Sequence, residues 1–370
     1  MSRADEAYLD YNATAPVRPE VAAAMAGALM LGGNPSSVHG RGRAARHAVE
    51  MARLALAEAV GASAADVTFV SGGTEANHLA LHGMGLPRVI VSAIEHDSVR
   101  AARADAEILP VTRAGVADVA ALALLLAGDP RPALVSVMLA NNETGIVQPI
   151  ARIAELVHAH GGLLHCDAVQ ALGKIPLDVK ALGADLISLS AHKSGGPQGV
   201  GALVASPAIA LLPSLRGGGQ ERGRRAGTEN VPGIVGFGVA ASLATGNLSA
   251  GEGARLAALR DAAERRLSAL APDAVIFGSG MERLPNTLCL ALPGLPAATQ
   301  VMALDLDGVA VSAGAACSSG KVRPSPVLLA MGVAPEVAAS AIRISFGWGS
   351  TMADVDRLAE SWGRLYRRAA

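Results

Sequence analysis

The sequence predicts an α/β protein: a large domain on a mostly parallel sheet flanked by helices, then a smaller α+β C-terminal domain. Three observations predict it. Short apolar runs of strand length alternate with helical patterns over the first 250 residues, the order expected of a parallel sheet covered by helices. Near residue 250 the chain changes character, to a charged helix followed by short strands. And 370 residues suffice for one large core with a second, smaller one.

Taken in order, Val67–Val70 reads as a strand, and Ser71-Gly72-Gly73-Thr74-Glu75-Ala76-Asn77 opens a helix running to about Gly83. Arg88–Ala93 and Ala133–Leu139 are the next strands, the latter followed by a helix that begins near Pro149. Leu163–Cys166 is a strand ending on Asp167. Leu186–Ser190 stops just before His192 and Lys193, and Val200–Ala205 follows as its antiparallel partner. Val231–Ala244 is helical. Beyond it come a charged helix (Gly251–Leu270), strands Ala274–Phe277 and Thr287–Leu292, a helix near Thr299–Leu306, a Gly/Ser/Pro-rich loop (Ser312–Pro326), a short strand Arg343–Phe346 and a closing helix Met352–Arg367.

Composition excludes several classes of function. Hydrophobic residues make up 51% and charged ones 17%, and mean hydropathy is +0.36. No apolar run of spanning length is found, however: Val119–Ala127 and Ile234–Ala244 are short and rich in Ala and Gly. No membrane is expected. Net charge is -1, and the densest basic spot, Arg222, Arg224 and Arg225, sits in a Gly-rich loop, so nucleic acid is not expected as a main partner. A charged N-terminus shows no secretory signal, and three cysteines without metal-ligand spacing argue against a zinc site or a disulfide framework. The cytoplasm is the expected location.

Candidate chemistry falls at the C-terminal ends of the predicted parallel strands, where open α/β sheets place ligands. Gly72, Gly73 and Thr74 open a helix whose free N–H groups suit a phosphate; the alternative is a simple N-cap turn made by Thr74 or Ser71. His96 follows a strand and is either a ring that lies flat on another ring or a satisfied structural residue. Asp167 is costly to bury unless paired; it pairs with a pyridinium N–H or caps the next helix. Asn141 and Asn142, in LANNETGIVQ (Leu139–Gln148), are turn residues, or Asn142 hydrogen-bonds a phenolic oxygen. The chain has only four lysines, at 174, 180, 193 and 321. Lys174, beside Ile175-Pro176, and Lys180 read as surface charges. Lys193, past a buried strand in a hydroxyl- and Gly-rich turn, is the best amine nucleophile.

Together these segments resemble the class V aminotransferase family of fold-type I pyridoxal-phosphate (PLP) enzymes, and within it the cysteine desulfurases. The resemblance runs from YLDYNATAP (Tyr8–Pro16) through GNPSSVH (Gly33–His39) to SAIRISFG (Ser340–Gly347). It implies a seven-stranded sheet in a large domain, 16–250, and a small domain, 251–370, against which residues 1–15 pack. It implies that Lys193 forms the Schiff base with PLP, Asp167 pairs with the ring nitrogen, His96 stacks on the ring, and Asn142 and Gln170 surround the phenolic oxygen. Gly73, Thr74, Ser190 and His192 would hold the phosphate, joined by Thr228 of RRAGTEN (Arg224–Asn230) from a neighbouring subunit, hence a homodimer. Arg343 would clamp the substrate carboxylate, with Asn34 and Asn142 also at the substrate. SAGAACS (Ser312–Ser318) looks like the loop that carries the desulfurase nucleophile, which makes Cys317 the persulfide-forming residue. Cys166 and Cys289, inside apolar strand patterns, read as buried core residues.

The implied reaction converts L-cysteine to L-alanine and leaves sulfane sulfur on Cys317 for an acceptor protein, such as an iron–sulfur scaffold. Two departures from the pattern stand out: the loop reads GAACSSG where many relatives have GSACTS, and the chain ends soon after the Met352–Arg367 helix, without the longer tail that some desulfurases use for docking. An aminotransferase or selenocysteine lyase on the same scaffold, or a non-catalytic sulfur carrier, are the alternatives.

Overall fold

The computed structural model describes residues 6–314 and 324–369. Cys317 therefore lies outside the described residues.

The large sheet has seven strands: β2 (Val67–Val70), β3 (Arg88–Ser92), β4 (Glu107–Leu109), β5 (Ala133–Ser136), β6 (Leu163–Asp167), β7 (Leu186–Ser190) and β8 (Gly201–Ala205), after a short N-terminal β1 (Ala7–Tyr8). Their order is β2-β8-β7-β6-β5-β3-β4. From β7 to β4 every pair is parallel, while β8 runs against both its neighbours. The α/β fold expected from the sequence is thus the one observed. Strands such as LISLS and ALVS are buried along their whole length, because helices cover both faces and leave no polar side to the alternation. The predicted strand Ala133–Leu139 is regular only to Ser136; Val137 and Leu139 still donate to the carbonyls of His165 and Asp167, so the chain stays extended beside β6. The edge strand β4 is too short and exposed to show in the sequence pattern.

Two helices absent from the sequence reading, Pro19–Leu29 and Gly40–Ala59, pack against Val231–Ser249. The last runs five residues past its predicted end at Ala244, and at 19 residues it is long and apolar enough to cross a membrane by composition alone. Half of it is buried within this fold, as befits the core helix of a globular domain.

In the C-terminal third, strands β9 (Val275–Phe277), β10 (Thr287–Ala291), β12 (Ser312–Ala313) and β13 (Ala341–Ser345) form an antiparallel sheet in the order β12-β13-β10-β9. β1 pairs in parallel with β11 (Val309–Ala310). A separate apolar cluster forms here, joining Ala7 and Leu9 to Leu256, Leu267, Leu288, Ile342 and Trp362.

The loop after β8 is anchored by a buried ion pair. Arg53 sits on the apolar face of Gly40–Ala59 with Ala45, Val49, Ala52 and Leu56, and donates through two nitrogens to Glu221 at 2.7 and 2.8 Å. Glu221 also accepts from the Phe69 N–H, and the Arg53 guanidinium lies 4.8 Å over the Phe69 ring. This network holds Glu221 and Arg222 at φ of 46° and 57°, a left-handed conformation unusual outside glycine. Both carboxylate and guanidinium are buried, so removing Glu221 leaves Arg53 with the more exposed Glu50, 3.3 Å away, as its remaining carboxylate partner. Glu221→Gln is expected to cost roughly 3 kcal/mol of stability, whereas breaking the exposed Arg266–Asp356 pair costs about 1 kcal/mol or less. Urea midpoints of the two variants check the contrast.

Candidate active site

The C-terminal ends of β2, β3, β5, β6 and β7 meet in a cavity of about 290 Å3. Gly73, Thr74, His96, Asn142, Asp167, Gln170, Ser190, His192, Lys193 and Arg343 all line it. Asn34 and Thr228 do not. Asn34 is exposed and its Oδ1 accepts from the Ser36 N–H, 2.9 Å away. Thr228 is exposed in a separate depression beside Ser71 and Arg225.

The local geometry bears on the open alternatives. The helix Gly73–Gly83 has Gly72 as its N-cap and no side-chain cap, so neither Ser71 nor Thr74 performs that task. The Ser71 N–H is instead bound by Glu75. An uncapped N-terminus of an 11-residue helix, facing a cavity, is a ready anion site. A Cβ on Gly73 would lie 2.9 Å from the Val169 side chain, so only glycine lets the strand β6 turn pass this close. Asp167 caps no helix, because a turn rather than a helix follows β6; its Oδ1 accepts from the Val169 N–H in that turn, Oδ2 accepts from Asn77, and the residue lines the cavity. Of the two adjacent asparagines, Asn141 is the turn residue, its Oδ1 accepting from the N–H groups of Glu143 and Thr144. Asn142 faces the cavity.

Lys193 donates to the carbonyls of Asn12 and Ala13 at 2.7 and 2.8 Å. His192 meets Thr14 Oγ1 at 3.2 Å, and burial, then the charges of Lys193 and Lys174, lower its pKa to about 4. His96 Nδ1 accepts from the Ser98 N–H and leaves the ring at the cavity wall. Arg343 is not a surface charge. It is buried, donating to Asp10 at 2.7 Å and to the Asn142 carbonyl at 3.1 Å, while its Nε has no partner among the described residues.

Three residues beside these escaped the sequence reading. Asn12, 1% exposed, and Asn77 both line the cavity, and Asn77 Oδ1 is buried without a partner. Lys174 corrects the surface-charge expectation: it is buried, donating to Gln170 Oε1 at 2.6 Å and Asn12 Oδ1 at 2.8 Å. A spacing of four residues from Gln170 was the available signal. Lys180 is exposed as expected. Cys166 and Cys289 are fully buried, and burial pushes both thiols upward, away from the reactive thiolate. The arginines of the Gly-rich loop are internally engaged: Arg222 bonds the Ala64 and Ala65 carbonyls, Arg224 those of Ala205, Ser206 and Ile209, and Arg225 pairs with Glu75.

The donor set suits PLP: an amine, a carboxylate, hydroxyls, amides and the free N–H groups of a helix terminus line one cavity. Residues 7–358 match the aminotransferase class-V family model. The chain belongs to the class-V aminotransferase family. It is 44% identical over 371 aligned positions to the cysteine desulfurase of Cereibacter sphaeroides, covering 96% of this chain and 94% of that protein. It is 40% identical to the cysteine desulfurase IscS of Dictyoglomus turgidum, covering 98% and 95%. Among solved structures, the NifS-like protein of Rickettsia africae superposes with a TM-score of 0.91 at 36% identity, covering 98% and 99%. The family is PLP-dependent.

Beside the cavity, Glu143 is buried and accepts from Ser325 Oγ, within the field of Arg343. Burial raises its pKa from 4.5 to about 7, against the opposing pull of Ser325 and Arg343. A carboxyl whose folded pKa is raised favours the fold at low pH and loses that advantage as pH rises from 4.5 towards 7. Glu143→Gln, which stays neutral, is therefore expected to gain on the parent over that window, by up to about 3 kcal/mol. Urea titrations of both proteins at pH 4.5 and 8 check it; a difference independent of pH contradicts the assignment.

Proposed function

We propose that this chain is a PLP-dependent cysteine desulfurase in which Lys193 holds the cofactor and Cys317 takes the sulfur. The observation that carries the reading is the meeting of Lys193 and Asp167, from the ends of adjacent strands β7 and β6, in one cavity with a phosphate-suited helix terminus, in a chain so similar to cysteine desulfurases.

Lys193 would bind the cofactor covalently, Asp167 would pair with its ring nitrogen, and Gly73, Thr74, Ser190 and His192 would hold its phosphate. His96, Asn142 and Gln170 would surround the ring. PLP, when bound, supplies an electron sink conjugated to the substrate's α-carbon. Arg343, which lines the cavity beside its ion pair with Asp10, would meet the substrate carboxylate with a charge-assisted bond. His192, its pKa lowered to about 4, is neutral at physiological pH and brings hydrogen bonding without a second positive charge beside Lys193.

Among three cysteines, Cys166 and Cys289 are sealed in strands β6 and β10. That leaves Cys317 as the thiol for sulfur. Its thiolate attacks the substrate sulfur: an S–S bond forms, the substrate C–S bond breaks, and the carbon takes the electron pair and a proton. L-Cysteine plus the Cys317 thiol become L-alanine plus a Cys317 persulfide, with no external oxidant or reductant.

The persulfide is then handed to an acceptor protein, such as an iron–sulfur scaffold. We read the working form as a cytoplasmic homodimer. Thr228, exposed and outside the cavity of its own chain, supports a role across a subunit boundary. The large domain is taken as 16–250 and the small one as 251–370 with residues 1–15; the separate apolar cluster around Leu9 and Trp362 supports the division.

Cysteine turnover separates the alternatives. The parent should release alanine and, with a thiol reductant, sulfide. Cys317→Ser should retain the visible absorbance of bound PLP and lose roughly 100-fold or more in turnover. Desulfuration by Cys317→Ser at the parental rate would overturn the nucleophile, and a keto acid in place of alanine would mark an aminotransferase.

A further inference from the structure

Lys174 has no place in the scheme above, yet it is one of four lysines in the chain and is buried at the back of the cavity wall. Burying an ammonium is costly, and among the described residues it is compensated by two neutral acceptors, Gln170 Oε1 at 2.6 Å and Asn12 Oδ1 at 2.8 Å. Burial, then the charges of Lys193 and Arg343, lowers its pKa well below the usual lysine value. A group this expensive, next to the site yet outside the cavity lining, calls for a structural reason.

The reason lies in the Gln170 amide. An amide has one accepting and one donating end, and its orientation follows from its partners. Here both ends are specified. Lys174 Nζ donates to Oε1, so this oxygen points away from the cavity. Nε2 donates one hydrogen to the Asn12 carbonyl at 3.0 Å and keeps its second for the cavity that Gln170 lines. Asn12 cannot relax the arrangement, because its own amide is fixed by the Asn142 carbonyl and Thr287 on one side and by Asn286 on the other.

We propose that Lys174 is a positioning residue for the cofactor site, clamping the Gln170 amide so that its N–H side faces the phenolic oxygen of bound PLP. The inference rests on the PLP reading above. Without Lys174 the amide loses the partner for its oxygen, and with the Asn12 carbonyl alone to hold Nε2, Oε1 turns towards the cavity more readily. A carbonyl oxygen there repels a phenolate where an N–H stabilises it. A donor to that oxygen draws electron density from it and weakens its hold on the Schiff-base proton, so losing the donor makes this proton harder to remove.

The test is a pH titration of the visible absorbance of the PLP-loaded protein, with PLP affinity measured beside it. Lys174→Met is expected to move the spectral midpoint up by about one pH unit and to weaken PLP binding roughly tenfold. Lys174→Gln keeps a polar group but no longer dictates which end of the amide faces inward. It carries the same expectation and serves if the methionine variant fails to fold. The charged and titratable groups around this position are Lys193, His192, Arg343 and Asp167, with Arg18, Tyr11 and Glu252 across a smaller cleft behind Lys174. Loss of the Lys174 charge alone would also move the midpoint, so the cycle with Gln170→Ala decides. If Lys174 acts through Gln170, the double variant shifts no further than Gln170→Ala alone. Additive shifts, or an unmoved midpoint in both Lys174 variants, would overturn the proposal. A parent protein that shows no visible band with PLP would instead overturn the PLP reading itself.

Discussion

Asn12 is the point on which the rest of the structure turns. Its side chain accepts from Lys174 and Asn286 and donates to Thr287 and the Asn142 carbonyl, while its main chain accepts from Lys193 and Gln170 and donates to Ser345. These partners come from both sides of the molecule: the ends of β6 and β7 in the large sheet, and β10 and β13 in the antiparallel one. A residue 1% exposed thus joins the two sheets through hydrogen bonds alone. Buried polar networks of this kind hold when every member is satisfied and become costly when one is lost, because the freed groups stay desolvated. The cavity inherits its geometry from this junction, since Lys193, Gln170, Asn142 and Arg343 each touch Asn12 or a direct partner of it.

The junction also explains why the site needs an N-terminal segment at all. β1 pairs with β11 on the C-terminal side, and residues 10–16 then cross to the large sheet, where the Ala15 N–H donates to the His192 carbonyl. Asp10 meets Arg343 on the way. Within seven residues the chain passes a carboxylate to the arginine and two carbonyls to the lysine. Stability and chemistry share the same atoms here, so substitutions in Asp10–Thr14 are expected to disturb both.

Much of this was legible in the sequence, for identifiable reasons. Strand ends followed by Gly-rich or polar turns mark ligand positions in a parallel sheet whatever the packing, and so Thr74, His96, Asp167 and Lys193 could be found without knowing their neighbours. The other features depend on contacts between distant segments. Lys174 looks like any surface lysine beside a proline until its four-residue offset from Gln170 and its 162-residue separation from Asn12 are closed by folding. Asn12 likewise gains its meaning from partners up to 333 residues away. The helix Gly40–Ala59 did carry a local signal, apolar residues at 45, 49, 52 and 56, but Arg53 on the same face obscured it by standing where a hydrophobic residue is expected. Its buried partner Glu221 is the compensation, and that too is long-range.

The central claim is that, of two lysines held against Asn12, it is Lys193 that bonds the cofactor while Lys174 stands behind the wall. Reduction of the PLP-loaded protein with borohydride, followed by peptide mapping, tests this directly. The account predicts the phosphopyridoxyl label on the Lys193 peptide and none on the Lys174 peptide. Label on Lys174, or no label at all, would contradict it.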